Sequence, residues 1–141
     1  MSESLIDMDM LKAYRETHYK VFAAAPFVLQ IDQASDALAE LYRQRKVSHC
    51  AFITAWNPFS QRIDDAENVK RNSELELELA RRDLPFIDGI GQHPSNGCPG
   101  EPSYLILGLG LDESKALGVK LEQNAIVWAG ADAVPRLVLL R

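Results

Sequence analysis

The chain has 141 residues, of which 47% are hydrophobic and 25% are charged, and its formal net charge is −5. This length and composition are typical of one soluble globular domain. No stretch approaches the roughly 18–20 continuous apolar residues of a membrane helix, and the first residues lack the basic start and apolar core of a secretory signal. An acidic chain also lacks a general basic surface for nucleic acids. We therefore expect a cytoplasmic protein without membrane or general nucleic-acid binding.

The first half of the chain alternates helical and strand-like patterns. In chain order, the predicted elements are a helix over 7–17, strands over 19–22 and 27–31, a helix over 34–45 and a strand over 49–55. The first two strands could form a hairpin or one long bent strand. Residues 1–7 are predicted to be a loose N-terminal segment of a single domain that spans 1–141.

The helix that follows Asp64 has the clearest pattern. Glu67 lies three residues after Asp64, which is the capping-box spacing with Asp in place of Ser or Thr. At about 100° per residue, two sets of side chains form stripes on nearly opposite sides. These are Ala66, Val69, Ser73, Leu77 and Ala80 on one side, and Asn68, Asn72, Leu75 and Leu79 on the other. Apolar residues on two sides predict a helix sandwiched between two layers.

The second half predicts further strands around one long loop. The predicted elements are a strand over 84–87, a loop over 88–100, a strand over 104–107, a helix over 112–121 and strands over 125–128 and 136–140. Loops of this length inside compact domains are uncommon, so the segment 88–100 is either functional or mobile. Because helices and strands mix without strict βαβ alternation, we predict an α+β fold with a mainly antiparallel or mixed sheet and helices packed on it.

Several motifs resemble the signature of a known chemistry but do not have the residues or the geometry that it requires. Gly108 and Gly110 lie between a strand and a helix, but Glu113 stands where a dinucleotide loop has its third glycine. Adjacent His49 and Cys50 would point to opposite faces of a strand, so they cannot easily share a zinc ion. The sequence therefore predicts no cofactor and no metal.

The cysteine content leaves one chemical alternative. Two cysteines, Cys50 and Cys98, are too few for a disulfide framework, so we expect free thiols. Cys98 shares the long loop with His93, which could lower the pKa of the thiol and make it a nucleophile. No third group that would orient this pair is identifiable, so the nucleophile remains a weaker alternative.

Polar residues at the predicted ends of strands and helices form the candidate site. They are Thr54, Trp56, Asn57, Asn68, Asn72, Glu101, Ser103, Gln123 and Asn124. Such groups could converge beside Trp56 into a small polar pocket with an aromatic wall, in which Glu101 alone could act as a general base. The alternative is that the amides satisfy loop backbone groups and Trp56 closes the end of the core.

Four short motifs occur in a recognisable order: T-A-W-N-P at 54–58, D-A-E-N at 65–68, E-P-S at 101–103 and Q-N-A-I-V-W at 123–128. Together they resemble the bacterial domain-of-unknown-function family 3293 over roughly residues 11–140. The resemblance implies a small bacterial cytosolic protein and assigns no activity. The motif positions are Thr54, Trp56, Asn57, Pro58, Asn68, Glu101, Ser103, Gln123 and Asn124, whereas His93 and Cys98 lie outside the pattern.

Two hypotheses of function follow from the sequence. The first is a small-ligand-binding domain, in which Glu101 is an anchor or base and Trp56 stacks on the ligand. The second is a non-enzymatic protein–protein interaction module, in which the apolar strand 136–140 supports self-association into a homo-oligomer. The sequence leaves open whether the protein is an enzyme. A pocket that gathers Glu101 and the amides would favour the first hypothesis.

Overall fold

A computed structural model of the chain describes residues 4–95, 97 and 99–141. The helices are α1 (Met8–Glu16), α2 (Asp36–Arg45), α3 (Asp65–Arg81) and α4 (Leu111–Lys120), and a 3₁₀ turn spans Pro58–Ser60. The strands are β1 (His18–Val21), β2 (Phe27–Leu29), β3 (Cys50–Ile53), β4 (Phe86–Gln92), β5 (Glu101–Leu107), β6 (Ala125–Ala129) and β7 (Pro135–Leu139). None of the helices in the described part of the chain is long and apolar enough to cross a bilayer.

The seven strands form one sheet in the order β2-β1-β4-β5-β3-β6-β7. All six neighbouring pairs are antiparallel, which confirms the predicted α+β fold and decides between an antiparallel and a mixed sheet. Strands β1 and β2 pair with each other as a hairpin, with Val21 opposite Phe27. Of the two alternatives for this segment, the hairpin is therefore the correct one.

Successive side chains of a strand point to opposite sides of the sheet, so both faces carry side chains that need a covering layer. Helices cover both faces. On one face, which we call the α1–α2 face, Phe52 and Leu105 belong to a core with Leu38 of α2. On the other, the α3–α4 face, Ile53 and Ile106 belong to a core with Leu79 of α3. The sheet is thus the middle layer of the domain.

Helix α3 buries one side only, so the prediction of a sandwiched helix is wrong. Asn68 and Asn72 are buried on the same side as the two leucines of their stripe. In the opposite stripe Val69 is 54% exposed and Leu77 is 63% exposed. The helix has a sheet on one side, and no described element covers the other. Asp64 occupies the predicted N-cap position, but its side chain makes no capping hydrogen bond.

The predicted loop 88–100 is shorter than expected, because β4 continues to Gln92. Gly89, which looked like a turn residue, lies inside the strand for a packing reason. A Cβ atom at Gly89 would lie 2.5 Å from the carbonyl oxygen of Lys20 and 2.8 Å from the Phe52 ring. Glycine is needed here for the close approach of neighbouring groups. Asn96 and Cys98, in the remaining part of the loop, lie outside the described residues.

The ends of two helices refine the sequence prediction. Helix α4 begins after Gly110, not at Asp112, and the carboxylate of Glu113 accepts a hydrogen bond from the Gly110 N–H at 3.2 Å. At the start of α1, the Asp7 carboxylate accepts from the Met10 N–H at 2.8 Å. In the segment predicted to be loose, residues 1–3 lie outside the described residues, whereas Ile6 is buried.

Candidate functional site

A cavity of about 500 Å³ lies between α1 and the α1–α2 face of the sheet. Its floor is apolar and consists of side chains from the central and last strands, including Phe52, Val127 and Leu137. Met10 and Tyr14 contribute to its wall from α1. No residue of α1 is buried. Helix α2 packs on its half of the face, whereas α1 leaves a hollow beneath it.

One part of the cavity wall is polar. Thr54 of the segment after β3 and Glu101 and Ser103 of β5 line it, together with Gln123 and Asn124, which precede β6. The strand period of two places these groups. Thr54 follows Phe52 on the same face, and Ser103 follows Glu101. Five of the nine predicted site residues therefore line one cavity.

Glu101 is the charged group of this polar wall. Its Oε2 accepts a hydrogen bond from the Asn57 amide at 2.9 Å. Its Oε1 has no hydrogen-bond partner within the described part of the chain, and this atom keeps some exposure to solvent. Burial raises the pKa of this carboxyl, while the hydrogen bond from Asn57 opposes the rise. One carboxylate oxygen of Glu101 is thus hydrogen-bonded to Asn57, and the other has no partner among the described residues.

The Asn57 amide is oriented by Asn68, a fully buried residue of α3. The Asn68 amide donates to Asn57 Oδ1 at 2.8 Å, and Asn68 Oδ1 accepts from the Asn57 backbone N–H at 2.8 Å. Asn57 Oδ1 also accepts from the Ile63 N–H at 3.3 Å. Because Asn57 Oδ1 accepts both donors, the NH₂ of Asn57 is the end that faces Glu101. Asn68 therefore orients the Asn57 amide, and Asn57 in turn positions the carboxylate of Glu101.

The backbone at Asn57 is unusual in a way that supports this arrangement. Asn57 has φ +49°, and Phe59 and Ser60 have φ +55° and +59°. Non-glycine residues rarely adopt this left-handed conformation, although asparagine tolerates it better than most. Such conformations persist where surrounding contacts enforce them, and they cluster at functional sites. Here the turn after Asn57 brings Ser60 to the wall of the cavity.

Asn72 and Thr54 tie the end of β3 to β5. Asn72 Oδ1 accepts from the Ala55 N–H at 3.0 Å, and the Asn72 amide donates to the Pro102 carbonyl at 3.0 Å. The Thr54 hydroxyl donates to the same carbonyl at 2.6 Å. These contacts satisfy backbone groups, which is the structural alternative that the sequence had left open for the amides.

Gln123 and Asn124 close one side of the cavity. The Gln123 amide donates to the Trp56 carbonyl at 3.3 Å. The Asn124 amide donates to the Tyr14 hydroxyl at 3.1 Å, and Tyr14 in turn is hydrogen-bonded to the Ser60 hydroxyl. Helix α1 is therefore linked to the segments 57–60 and 123–124 through polar contacts at the cavity wall.

The remaining four predicted residues do not line the cavity. They are Trp56, Asn57, Asn68 and Asn72. The aromatic residues that line it are Tyr14, Tyr19 and Phe52 instead of Trp56. Sequence reasoning missed these three, although one signal was available: Phe52 lies two residues before Thr54 in a strand, and so on the same face.

The alternative chemistries have limited support in the geometry. His93 lines the cavity, and its Nε2 lies 3.2 Å from Glu16 Oε1. Cys98 lies outside the described residues, so the thiol nucleophile stays a prediction. Burial raises the pKa of the other thiol, Cys50, to about 11. Among the described residues, no three His, Cys, Asp or Glu side chains are grouped so that they could hold a metal ion.

The family model described as "Protein of unknown function (DUF3293)" matches residues 53–126. The chain belongs to this family. The match confirms the resemblance inferred from the motifs, and it includes all nine predicted site residues, whereas α1 lies outside it. No curated protein and no solved structure matches the chain.

Proposed function

We propose that this member of DUF3293 binds a small organic molecule in the cavity beneath α1. Glu101 is the polar anchor, and Phe52, Val127 and Leu137 form the apolar floor on which the body of the ligand lies. The observation that carries the proposal is the position of Glu101 on the cavity wall, where Asn57 holds one carboxylate oxygen and no described residue bonds the other.

The dimensions and chemistry of the cavity support this proposal. Ligand sites are typically concave spaces of roughly 300–1,000 Å³ with mostly apolar walls and a few polar groups that fix orientation. A volume of about 500 Å³ lies in this range, and the polar groups are gathered on one part of the wall. The ligand would therefore have one polar end and one apolar end.

The cost of placing Glu101 there is a second argument. A carboxylate removed from water is unfavourable unless its oxygens are hydrogen-bonded. The hydrogen bond from Asn57, whose amide is oriented by Asn68, fixes the direction of the carboxylate but leaves Oε1 without a described partner. A ligand that donates a hydrogen bond to Oε1 would replace the lost solvation.

A thermal-shift screen against metabolites and nucleotides tests the proposal with three variants. Ligands that bind only the folded state raise its stability by mass action. We expect hits that stabilise the wild type, stabilise Glu101→Gln less, and fail to stabilise Ala125→Phe, in which a ring fills the cavity. Ala66→Phe adds the same ring on an exposed position of α3 and should respond like the wild type. Hits that shift Ala125→Phe as strongly as the wild type would refute binding in the cavity.

The interaction-module hypothesis has one observation in its favour. Strand β7 is at an edge of the sheet, and Leu139 on it is 41% exposed. An unpaired apolar edge can pair with a second copy of the chain. Light scattering of the wild type and Leu139→Lys would test this, and a monomeric wild type at high concentration would exclude self-association through β7.

A bacterial cytosolic setting belongs to the same proposal. It is supported by the family resemblance and by a composition with only two cysteines. In the cytosol the ligand would be a metabolite, which is why the thermal-shift screen uses metabolites and nucleotides.

A further inference from the structure

Two carboxylates differ from all the others in the described part of the chain, because only Glu78 and Glu101 are not exposed. The Glu78 side chain is 15% exposed and is paired with two cations, Lys120 at 2.6 Å and Arg82. These contacts lower the pKa of Glu78. Glu101 has no cationic partner among the described residues and accepts one hydrogen bond from a neutral amide.

The described residues that line the cavity around Glu101 include no lysine or arginine either. The ionisable groups that line the cavity are Asp7, Asp9, Tyr14, Tyr19, His93 and Glu101. His93 faces another acid, Glu16. Arg141 contacts Asn124, but its guanidinium stacks on Phe59 and does not line the cavity.

We infer that the ligand of this cavity carries a protonated amine, which pairs with Oε1 of Glu101 while an apolar body lies on the floor formed by Phe52, Val127 and Leu137. This inference rests on the proposed function and specifies its ligand class. At Glu78, the chain itself supplies the lysine and arginine that neutralise the carboxylate. At Glu101 the partner would come with the ligand.

Charge and shape both support a monovalent organic cation. An anion would meet three carboxylates, the exposed Asp7 and Asp9 at the rim and the partly buried Glu101. A divalent metal ion needs several hard ligands close together, and the described residues contain no such group. An ammonium group needs only one carboxylate and neighbouring acceptors, and the apolar floor accounts for an attached hydrocarbon or ring.

A matched series of probes separates charge from shape. Phenethylamine, phenethyl alcohol and phenylacetate share one ring and differ at the end group, which is cationic, neutral or anionic near neutral pH. NMR titration of the backbone amides gives each affinity for the wild type, Glu101→Gln and Glu78→Gln. We expect the wild type to prefer the amine over the alcohol by about tenfold or more, as for a hydrogen bond to a charged group. Phenylacetate should bind most weakly.

The variants assign this preference to one carboxylate. Glu101→Gln keeps the shape and the hydrogen bond from Asn57 but removes the charge, so its preference for the amine should disappear. Glu78→Gln removes the other carboxylate that is not exposed, which lies outside the cavity, and should bind like the wild type. The comparison of amine with alcohol in the wild type needs no variant, so a poorly folded Glu101→Gln does not prevent the test.

Two results would overturn the inference, and they can be told apart. If the amine and the alcohol bind the wild type equally, and Ala125→Phe loses both, the cavity binds ligands but does not select a cation. If none of the three probes shifts the amides of the cavity at several millimolar, both this inference and the proposed function fail.

Discussion

The two faces of the sheet are filled in different ways. On the α3–α4 face, Leu75, Leu79 and Leu117 are at most 2% exposed and pack against the strands. On the half of the α1–α2 face beneath α1, small or polar residues such as Gly91, Ala125 and Ser103 line a cavity. Close packing of large apolar side chains stabilises a fold, whereas smaller groups leave room for another molecule. The α3–α4 face is thus packed by large side chains, whereas the α1–α2 face is packed beneath α2 and hollow beneath α1, where the proposed binding site lies.

The largest expected effect is a difference in tolerance to truncation. Leu79→Ala on the packed face should lower the free energy of unfolding by about 2–5 kcal/mol, because it removes buried contacts and leaves a void. Met10→Ala on α1 should cost about 1 kcal/mol or less, because its side chain already borders a cavity and has fewer contacts to lose. Urea unfolding of both variants measures the difference. Equal losses would show that α1 is packed as tightly as α3.

Two glycines on one strand extend the comparison to added volume. Gly89→Ala should destabilise the domain by about 1–3 kcal/mol, because the new methyl group would overlap the Lys20 carbonyl and the Phe52 ring. Gly91→Ala should be neutral or stabilising by up to about 1 kcal/mol. Its nearest neighbours, Thr17 and Tyr19, are 3.7 Å from the added atom, which is ordinary contact. Thermal unfolding of the pair would contradict the packing argument if both variants lost stability equally.

The smallest effect is a pH dependence of opposite sign at the two partly buried carboxylates. The pKa of Glu101 is raised in the folded state, so its charged form is unfavourable above that pKa, and the penalty disappears as the pH falls below the ordinary value of 4.5. Glu101→Gln should therefore be more stable than the wild type near neutral pH, with an advantage that vanishes in acid.

Glu78 is the matched control for this pH dependence. Its pKa is lowered, so it contributes stability above the ordinary value of 4.5 and loses it as the pH falls through the folded-state pKa. Glu78→Gln should be less stable than the wild type near neutral pH by about 1 kcal/mol or less. Unfolding midpoints of both variants across the acidic range give the two signs. The same sign for both would remove the contrast between a paired and an unpaired carboxylate.

The sequence predicted the order of the elements well because their hydrophobic periods are clear, but it misjudged which sides are buried. In α3 the stripe with Val69 and Leu77 is as apolar as a packed face, and yet it is exposed. Asn68 and Asn72 are buried instead, since their amides satisfy backbone groups after β3 and at β5. That partnership depends on tertiary placement, which helical spacing does not contain.

The candidate site was partly predictable for a related reason. Polar residues at the ends of adjacent strands were expected to converge, and Glu101, Ser103 and Thr54 do meet at the cavity wall. The sequence did not distinguish residues that line the cavity from residues, such as Asn68, that orient other site residues by hydrogen bonds. This depends on the direction of each side chain. The sequence predicted a small pocket beside Trp56 but not a cavity beneath α1, because that position depends on how α1 packs against the sheet.

Helix α1 also bears on how a molecule would reach the cavity. None of its residues is buried, and polar contacts such as Tyr14 with Asn124 link it to the rest of the domain. Segments that bury little apolar surface open at a free energy well below that of global unfolding. Amide hydrogens of α1 should therefore exchange with solvent by local opening, while those of α3 exchange only when the domain unfolds. The helix could thus admit a molecule to the cavity without disturbing the packed face, and an occupied cavity would be recognised first by slower exchange in α1.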